Sequence, residues 1–360
     1  HEEVIILAPG ARDGTVREEA GGAIVTLATP RFPLDRRYRY FDDEAALHGL
    51  LDRLAPDVVE VSSPWASPAM VARWPGAAFR SLVMHADPMS AYAYRWFGGV
   101  ASREVIDRGF DWFWRHLRRL DRQFDMVVSA SESLSARLRA GGLGKVATIP
   151  MGVEPGIFSP ERRDPALRAR LLARCGLAPS ATLLIGIGRL APEKRWPMVI
   201  EAVTAAGYSQ PVGVVLFGNG RDRARVVRAA DNNPHVHLGA PILDRAELAT
   251  VLASADALVH GCEAETFCMV AAEAKASGLP LIVPDDGGAG DQFAAGQGCR
   301  YEARNPAALA AAIVAFIAGS PAAHRARAVT AAAGVPDMDA HFARLFATYA
   351  ALGGRWSDAA

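Results

Sequence analysis

Short apolar runs rich in Val, Ile and Leu alternate with helical stretches along this chain. Apolar runs of this kind, each followed by a helix, are typical of parallel sheets that helices cover on both faces. We therefore expect an α/β protein with two doubly wound, Rossmann-like parallel-sheet domains. The predicted strands lie at residues 4–8, 24–28, 58–61, 82–84, 126–130 and 146–149, and then at 183–187, 212–217, 235–238, 257–260 and 281–284.

The length of the chain fits two domains. It has 360 residues, of which 51% are hydrophobic, so it can bury two cores. Residues 151–160, rich in Gly and Pro, form the predicted linker. We place an N-terminal domain at residues 1–150 and a C-terminal domain at residues 151–337. Such sheets bind ligands beyond the carboxyl ends of their strands, so two of them facing each other predict a cleft for a ligand.

Composition argues against several classes of protein. Lys plus Arg and Asp plus Glu both number 39, so no global charge favours nucleic acid as a partner. The four cysteines have no spacing typical of a metal site or a redox motif, and no apolar run is long enough to span a bilayer. We expect a protein of the reducing cytoplasm that needs no metal and no cofactor, and whose membrane contact is peripheral.

Two carboxylates, Glu265 and Glu273, lie where a predicted strand turns into a helix of small residues. The first amides of a helix are unpaired and lie at the positive end of its dipole, so the backbone of Phe267, Cys268 and Met269 suits an anionic diphosphate. Glu273, two turns into the helix, is placed to accept both hydroxyls of a ribose. The pattern predicts a sugar-nucleotide site, although Glu265 also fits an ordinary carboxylate at a helix start.

A second candidate group follows the predicted strand 183–187. Arg189 and Lys194 occupy one strand-to-helix turn that begins at Gly188, and a guanidinium and an ammonium group together can neutralise a diphosphate. Taken by itself, this turn is more typical of a solvated basic loop. Residues 186–191 also resemble the dinucleotide-binding glycine motif, but Pro192 and the charged residues after it do not fit that motif.

Two further features are less specific. Gly218 and Asn219 follow the predicted strand 212–217, where glycine permits close approach of a ligand but a plain turn explains the same residues. His85 ends the predicted strand 82–84, and a histidine there fits either a satisfied polar group or a catalytic one.

Together these motifs resemble the family-4 retaining glycosyltransferases. The residues that carry the resemblance are 188–194, 217–220, 265–273 with its continuation to Pro280, and the linker at 151–160. The resemblance implies a glycosyltransferase B-type fold, in which two Rossmann-like domains face a cleft. It also implies that a last helix, at residues 338–360, packs back onto the N-terminal domain.

The resemblance also implies a role for each candidate residue. It assigns Arg189 and Lys194 to the donor diphosphate and Glu273 to the ribose. Glu265 and, from across the cleft, His85 are assigned to the transferred sugar. The remaining donor-binding residues are Gly188, Gly218, Asn219 and the amides of Phe267, Cys268 and Met269.

The chain departs from the family at three points. It begins with a segment that resembles the family's second strand, so we expect the first strand, its glycine-rich loop and the first helix to be absent. Cys268 stands where the family usually has glycine, which narrows the space for the donor sugar if its side chain points inward. Asp291 replaces a more usual Glu, which puts the role of its loop in doubt.

The pattern that flanks His85, with Ser63 and Pro64 upstream and the aromatic segment 92–97 downstream, is closest to the subgroup that uses GDP-mannose or a UDP-hexose with lipid acceptors. That subgroup works at membrane surfaces, so we expect the protein at the inner face of the membrane. The segment 108–124 has two interpretations, since its apolar residues share one helical face and its arginines another. It fits an interfacial helix, and it equally fits a helix packed on the sheet with a solvated basic side.

We predict the transfer of a hexose, with mannose favoured, from a nucleotide diphosphate sugar to a hydroxyl of a lipid or glycan, with retention at the anomeric carbon. Arg189, Lys194 and the helix-start amides stabilise the leaving group, and the departing phosphate takes the acceptor proton. Two alternatives stay open at this point. One is a non-catalytic sugar-nucleotide-binding protein, and the other is a sugar-nucleotide epimerase of related fold.

Overall fold

The computed structural model describes residues 3–17, 21–32, 38–62, 64–231 and 233–353. Residues 354–360 of the predicted last helix lie outside these ranges. Within them the strands form three sheets, and helices pack on the sheets in an α/β arrangement. The predicted fold class is confirmed, with one antiparallel strand added in the N-terminal part.

Two sheets make up the N-terminal part. Strands β1 and β3 are parallel, and β2 joins β3 as an antiparallel edge. The other four strands form a parallel sheet in the order β4-β5-β6-β7. The strands are β1 (Ile5–Gly10), β2 (Gly14–Arg17), β3 (Ala23–Ala28), β4 (Val58–Val61), β5 (Phe79–Val83), β6 (Met126–Ser129) and β7 (Val146–Thr148). The helices are α1 (Glu44–Leu54), α2 (Ala66–Arg73), α3 (Tyr94–Phe97), which follows a π-helical turn at Met89–Ala93, α4 (Arg103–Gly109), α5 (Asp111–Gln123) and α6 (Glu132–Ala140).

One six-stranded parallel sheet organises the C-terminal part, in the order β10-β9-β8-β11-β12-β13. Its strands are β8 (Thr182–Ile187), β9 (Val212–Phe217), β10 (Val236–Gly239), β11 (Ala257–Val259), β12 (Leu281–Pro284) and β13 (Gly298–Tyr301). Its helices are α7 (Pro165–Arg174), α8 (Trp196–Gly207), α9 (Arg223–Ala230), α10 (Arg245–Ser254), α11 (Met269–Ala276), α12 (Gly287–Asp291), α13 (Pro306–Ala318) and α14 (Pro321–Ala332), and the last helix is α15 (Met338–Ala351).

Strands β2 and β13 were not predicted, because neither is a buried apolar run. All four residues of β2 are exposed, and β13 carries an exposed arginine between the partly buried Cys299 and the buried Tyr301. Strands β8, β9 and β12 are the opposite case, since their side chains are buried on both faces of the sheet. Such strands are the ones that an apolar pattern identifies.

Helix α15 packs against the parallel sheet of the N-terminal part. Its Leu345 and Tyr349 join a core cluster with Phe79 and Met126. The Tyr349 hydroxyl donates to the Glu60 carboxylate at 2.6 Å and lies 3.0 Å from the hydroxyl of Ser81. The chain therefore crosses between its two parts twice, and the boundaries at 150/151 and 337/338 stay predictions.

The two crossings lie side by side. The Val153 amide donates to the carbonyl of Pro336 at 3.0 Å, and the Met338 amide donates to the carbonyl of Val153 at 2.9 Å. A Cβ at Gly152 would lie 1.9 Å from the carbonyl oxygen of Asp337. Glycine is therefore required in the linker because another backbone segment occupies the space of a side chain.

Helix α5 shows which interpretation of the segment 108–124 holds. Its side chains Phe113, Trp114, Leu117 and Leu120 belong to the N-terminal core, whereas Trp112 is 54% exposed. The helix thus packs on the sheet and turns its arginines outward. No single helix among the described residues has both the length and the apolar composition to cross a bilayer; the consecutive helices α13 and α14 reach that threshold as a pair, bent by 89°.

Candidate active site

The strand order of the C-terminal sheet creates one crevice. From β8 the chain proceeds to β9 and β10 on one side, and it then resumes at β11 on the other side of β8. Doubly wound sheets bind ligands where the strand order reverses, beyond the carboxyl ends of the strands. The loops that follow β8 and β11 flank this point, and these two loops carry Arg189, Lys194 and Glu265.

A largely buried ion pair joins the two loops. The Lys194 ammonium group donates to Oε1 of Glu265, and the two side chains are 14% and 19% exposed. His260, which is fully buried at the end of β11, places its Nε2 atom 3.0 Å from the same carboxylate oxygen. The structure therefore brings together two predicted site residues and adds a histidine that the sequence analysis missed.

The charges of this pair are well defined. Burial by itself raises the pKa of Glu265, but the hydrogen bond from His260 and the positive charge of Lys194 outweigh burial and lower the pKa to about 2. Burial lowers the pKa of Lys194, but the charge of Glu265 raises it above its ordinary value. Burial lowers the pKa of His260, so its ring is neutral and its Nε2–H donates to Glu265. At neutral pH the crevice holds a carboxylate and an ammonium group.

The side chain of Arg189 is much more exposed than that of Lys194. Its side chain is 75% exposed and lies 3.4 Å from Glu193 in the same turn. Its backbone is held more firmly, because the indole of Trp196 donates to the Arg189 carbonyl at 2.9 Å. The guanidinium group is therefore free to reorient above a fixed turn.

The turn at Gly218 and Asn219, after β9, packs against the loop that carries Arg189. A Cβ at Gly218 would lie 1.9 Å from the carbonyl oxygen of Gly188. The Leu190 amide donates to the carbonyl of Asn219 at 2.9 Å. The structure thus gives Gly218 and Asn219 a packing role, and their contact with a donor stays a prediction.

Helix α11 begins with an unusual backbone conformation. Cys268, the residue before its first turn, has φ 71° and ψ 72°, in the left-handed region that favours glycine. Its thiol points at His260, with Sγ 3.7 Å from Nε2. Phe267 beside it is buried, and Met269 opens the helix. Burial raises the pKa of the Cys268 thiol well above its ordinary value, so it stays protonated at neutral pH.

Glu273 has a charged partner, as a buried carboxylate requires. It is only 5% exposed, and Nη2 of Arg245 donates to it at 2.6 Å. Arg245 also contacts Glu154 at 3.0 Å and stacks over the ring of Phe158, 4.9 Å from its centroid. Burial raises the pKa of Glu273 although Arg245 acts in the opposite direction. Arg245 was missed because it is far from Glu273 along the sequence.

The N-terminal part faces these loops directly. The Thr266 hydroxyl donates to the carbonyl oxygen of His85 at 3.0 Å, which places His85 beside the loop of Glu265. The side chain of His85 is exposed. Ser133 on α6 donates to Asp291 from its backbone amide at 2.8 Å and from its hydroxyl at 2.6 Å. The segment that carries Asp291 therefore connects the two sides of the cleft.

An exposed group of large apolar side chains lies at the rim of the cleft. We call it the aromatic patch; its members are Tyr92, Trp96, Phe97, Val100 and Trp112, with exposed fractions of 49, 61, 43, 86 and 54%. Two arginines among them reach across the cleft, because Arg95 pairs with Glu193 at 3.5 Å and Arg103 pairs with Asp286. Exposed apolar groups of this extent mark an interaction surface.

Comparison with known proteins identifies two family models. Residues 2–156 match the model described as Glycosyltransferase Family 4, and residues 174–333 match the model described as Glycosyl transferases group 1. The first match ends within the linker at residues 151–160, and the second begins beyond it and contains Arg189, Lys194, Glu265 and Glu273.

Several relatives carry the name of a mannosyltransferase. The chain is 35% identical over 266 residues to a GDP-mannose-dependent alpha-mannosyltransferase of Mycobacterium tuberculosis, a match that covers 74% of this chain and 61% of that protein. It is 31% identical to a protein of the same name from Mycolicibacterium smegmatis, covering 81% and 73% of the two chains. A GDP-mannose-dependent alpha-(1-6)-phosphatidylinositol dimannoside mannosyltransferase of M. tuberculosis is 29% identical, covering 97% and 88%.

Solved structures share the fold. A sucrose-phosphate synthase from Thermosynechococcus elongatus superimposes with a TM-score of 0.70 at 18% identity, covering 97% of this chain and 89% of the other. The Anabaena HepE protein in complex with UDP and glucose gives a TM-score of 0.69 at 16% identity, covering 98% and 100%. At these identities the similarity concerns the fold.

Proposed function

The chain belongs to the family-4 glycosyltransferases, and we propose that it transfers mannose from GDP-mannose to a hydroxyl group of a phosphatidylinositol-type lipid acceptor, with retention at the anomeric carbon. The relatives' names support GDP-mannose as donor, and one of them supports the acceptor. We further propose that residues 1–150 and 338–360 form the acceptor side and residues 151–337 the donor side.

The observation that carries this proposal is the pair of Lys194 and Glu265 at the strand-order reversal. A diphosphate that enters the crevice offers Lys194 a second anionic partner, and the helix start at Met269 adds backbone amides. Each charge-assisted hydrogen bond contributes about 1.5–3 kcal/mol, and more as charge builds on the departing phosphate. Lys194 thus moves from Glu265 to the leaving group, which frees Glu265 for a hydroxyl of the sugar.

Arg189 completes the binding of the diphosphate in this proposal. Its exposed guanidinium reorients from Glu193 onto the phosphates at little cost, because an exposed ion pair contributes at most about 1 kcal/mol. Glu273 takes the ribose, sharing its carboxylate with Arg245. His85, whose carbonyl contacts Thr266, faces the sugar from the acceptor side. The departing phosphate accepts the proton of the attacking hydroxyl.

Donor and activity are tested together. GDP, UDP and ADP are compared by thermal shift, and GDP-mannose is then incubated with and without phosphatidylinositol mannoside. We expect GDP to stabilise the protein most and mannose to appear on the lipid with an α linkage. Stabilisation by GDP without transfer to any acceptor would indicate a binding protein, and conversion of the sugar without acceptor an epimerase. Either result rejects the proposal.

The lipid acceptor gives the aromatic patch a function. We propose that Trp96 and its neighbours enter the interface of the inner face of a membrane and bring the cleft to its acceptor. Burying one large apolar side chain contributes about 1.5–3 kcal/mol, so Trp96→Ala should weaken binding to vesicles of phosphatidylcholine and phosphatidylinositol roughly tenfold. Tyr208→Ala is the matched control, because Tyr208 is 90% exposed and lies after α8, outside the patch. Equal vesicle binding by both variants would remove the patch from the proposal.

A further inference from the structure

Three side chains beneath the donor loop converge on one point. His260 Nε2, a carboxylate oxygen of Glu265 and Cys268 Sγ all lie within 4.8 Å of one another. Two of these separations are 3.0 Å, between Nε2 and Oε1, and 3.7 Å, between Nε2 and Sγ. A tetrahedral ion with bonds of about 2.0–2.3 Å places its ligand atoms roughly 3.3–3.7 Å apart. The three atoms therefore stand close to the spacing of a metal ligand set.

The chemistry of the three ligands selects the ion. An imidazole, a thiolate and a carboxylate together suit Zn²⁺ and its analogue Co²⁺ better than Mg²⁺ or Ca²⁺, which prefer oxygen ligands alone. The left-handed backbone of Cys268 holds the thiol against His260. Glu265, the most exposed of the three, gives an ion access from the cleft.

We propose that His260, Glu265 and Cys268 form a binding site for a soft divalent cation such as Zn²⁺, and that this cation competes with the nucleotide-sugar donor. When the cation binds, the Cys268 thiol releases its proton to solvent and a sulfur–metal bond forms. The proton of the neutral His260 ring moves to Nδ1, which leaves Nε2 as a ligand. The thiolate and the carboxylate then balance the two charges of the ion.

Lys194 explains the competition with the donor. Its ammonium group occupies Oε1 of Glu265 in this structure, and a cation on that oxygen must displace it. Because the proposed function uses Lys194 and Glu265 to hold the donor, a bound ion disrupts the same crevice. The competition rests on the proposed function, whereas binding of the ion does not. The ion takes no part in the transfer reaction.

Binding is tested with Co²⁺ alone, without nucleotide. Titration should produce a sulfur-to-cobalt charge-transfer absorption in the near ultraviolet that saturates at one equivalent and disappears on addition of Zn²⁺. Cys268→Gly should abolish this absorption and weaken Co²⁺ binding at least about tenfold, since even losing an outer-shell partner costs 10–100-fold. Glycine favours the backbone conformation at this position, so the variant should fold, which a thermal melt verifies. Cys299→Ser, outside the cluster, is the matched control and should retain the absorption.

An absorption that persists in Cys268→Gly, or that Cys299→Ser removes, overturns the site. The competition is measured separately, as the affinity for GDP in the presence and absence of Zn²⁺. We expect Zn²⁺ to weaken GDP binding in the wild type and to have no such effect in Cys268→Gly. If Co²⁺ binds with the expected spectrum but GDP affinity is unchanged, the competition is rejected. If GDP does not bind under any condition, the proposed function fails while the metal site stands.

Discussion

Ser133 and Asp291 join the two sides of the cleft through two hydrogen bonds, of 2.8 Å from the amide and 2.6 Å from the hydroxyl of Ser133. Asp291 ends α12, and the Gly288 amide of that helix donates to the carbonyl of Glu265 at 2.7 Å. A movement that separates the two sides must therefore break a contact at Asp291, on the same short helix whose Gly288 amide holds the loop of Glu265. We expect closure of the cleft and the geometry of the donor loop to be coupled.

Ser133→Ala tests this coupling. The variant loses the hydroxyl bond and keeps the amide bond, so it should lose about 1 kcal/mol of closure free energy and roughly fivefold in kcat/KM. Steady-state kinetics with varied donor measures the change. Ser209→Ala, an exposed serine after α8, is the control. Identical kinetics for both variants would show that the contact does not assist closure.

Arg189→Ala should reduce kcat by about 10- to 100-fold, because the lost interaction grows as charge builds on the leaving phosphate. The melting temperature should change little, since the pair with Glu193 is exposed. Arg225→Ala removes an exposed arginine from α9 and serves as the control. A wild-type kcat in Arg189→Ala would exclude Arg189 from catalysis.

Lys194→Met should both destabilise and inactivate the enzyme. It leaves the Glu265 carboxylate buried without its cation, which costs about 3–5 kcal/mol of unfolding free energy. Adding Glu265→Gln to this variant removes the stranded charge, so the melting temperature should recover in large part while turnover does not. Recovery of turnover in the double variant would mean that Lys194 acts only on stability.

Glu273→Gln should lower the affinity for GDP without lowering the melting temperature. Burial raises the pKa of Glu273, so between the ordinary and the raised pKa the folded protein binds more protons than the unfolded chain. The free energy of unfolding therefore rises as pH falls through this window, and the charged carboxylate is unfavourable to folding above it.

We expect Glu273→Gln to melt at or above the wild-type temperature at pH 7, with an advantage that shrinks at a lower pH, where the wild-type carboxyl becomes protonated. GDP affinity should fall by about 10- to 100-fold, as expected for lost charge-assisted bonds to the ribose. Thermal melts at both pH values and calorimetry with GDP provide the measurements, with Glu201→Gln on α8 as an exposed control. A large drop in melting temperature at pH 7 would instead make the pair with Arg245 a net stabiliser.

Tyr349→Phe tests the docking of α15. It removes the hydroxyl that contacts Glu60 and Ser81, so we expect a loss of about 1–2 kcal/mol. The melting temperature should fall by a few degrees while GDP affinity stays unchanged. Tyr208→Phe, which alters a tyrosine that is 90% exposed, is the matched control. Equal melting temperatures for the two variants would show that this hydroxyl does not hold the helix.

Much of the fold was predictable because its central strands are apolar on both faces. The same property placed the loops after β8 and β11 at one edge of a parallel sheet, and thus brought Lys194 and Glu265 within reach of each other. Strand β2 escaped prediction because it is an exposed edge, on which packing imposes no pattern. The segment 108–124 allowed two interpretations, since an amphipathic helix has the same sequence pattern whether its apolar face meets a core or a lipid.

The partners of the site residues were less predictable. Arg245 reaches Glu273, and Ser133 reaches Asp291, across sequence separations that only the tertiary fold closes. His260 looked like the end of a buried strand, and its hydrogen bond to Glu265 depends on how the following loop folds back. Cys268 itself was named from the sequence because it stands where the family usually has glycine, and its left-handed backbone fits such a position. Its contact with His260 depends on the tertiary fold.

The side-by-side passage of the chain at Val153 and Asp337 determines how this enzyme can move. Two adjacent backbone links bend together about one axis, but they resist torsion, because twisting would stretch one link against the other. The cleft should therefore open and close by a hinge rotation about one axis. If the proposed function holds, each closure returns the aromatic patch and the donor crevice to the same mutual orientation, and an acceptor bound at the patch meets the donor sugar from one constant direction.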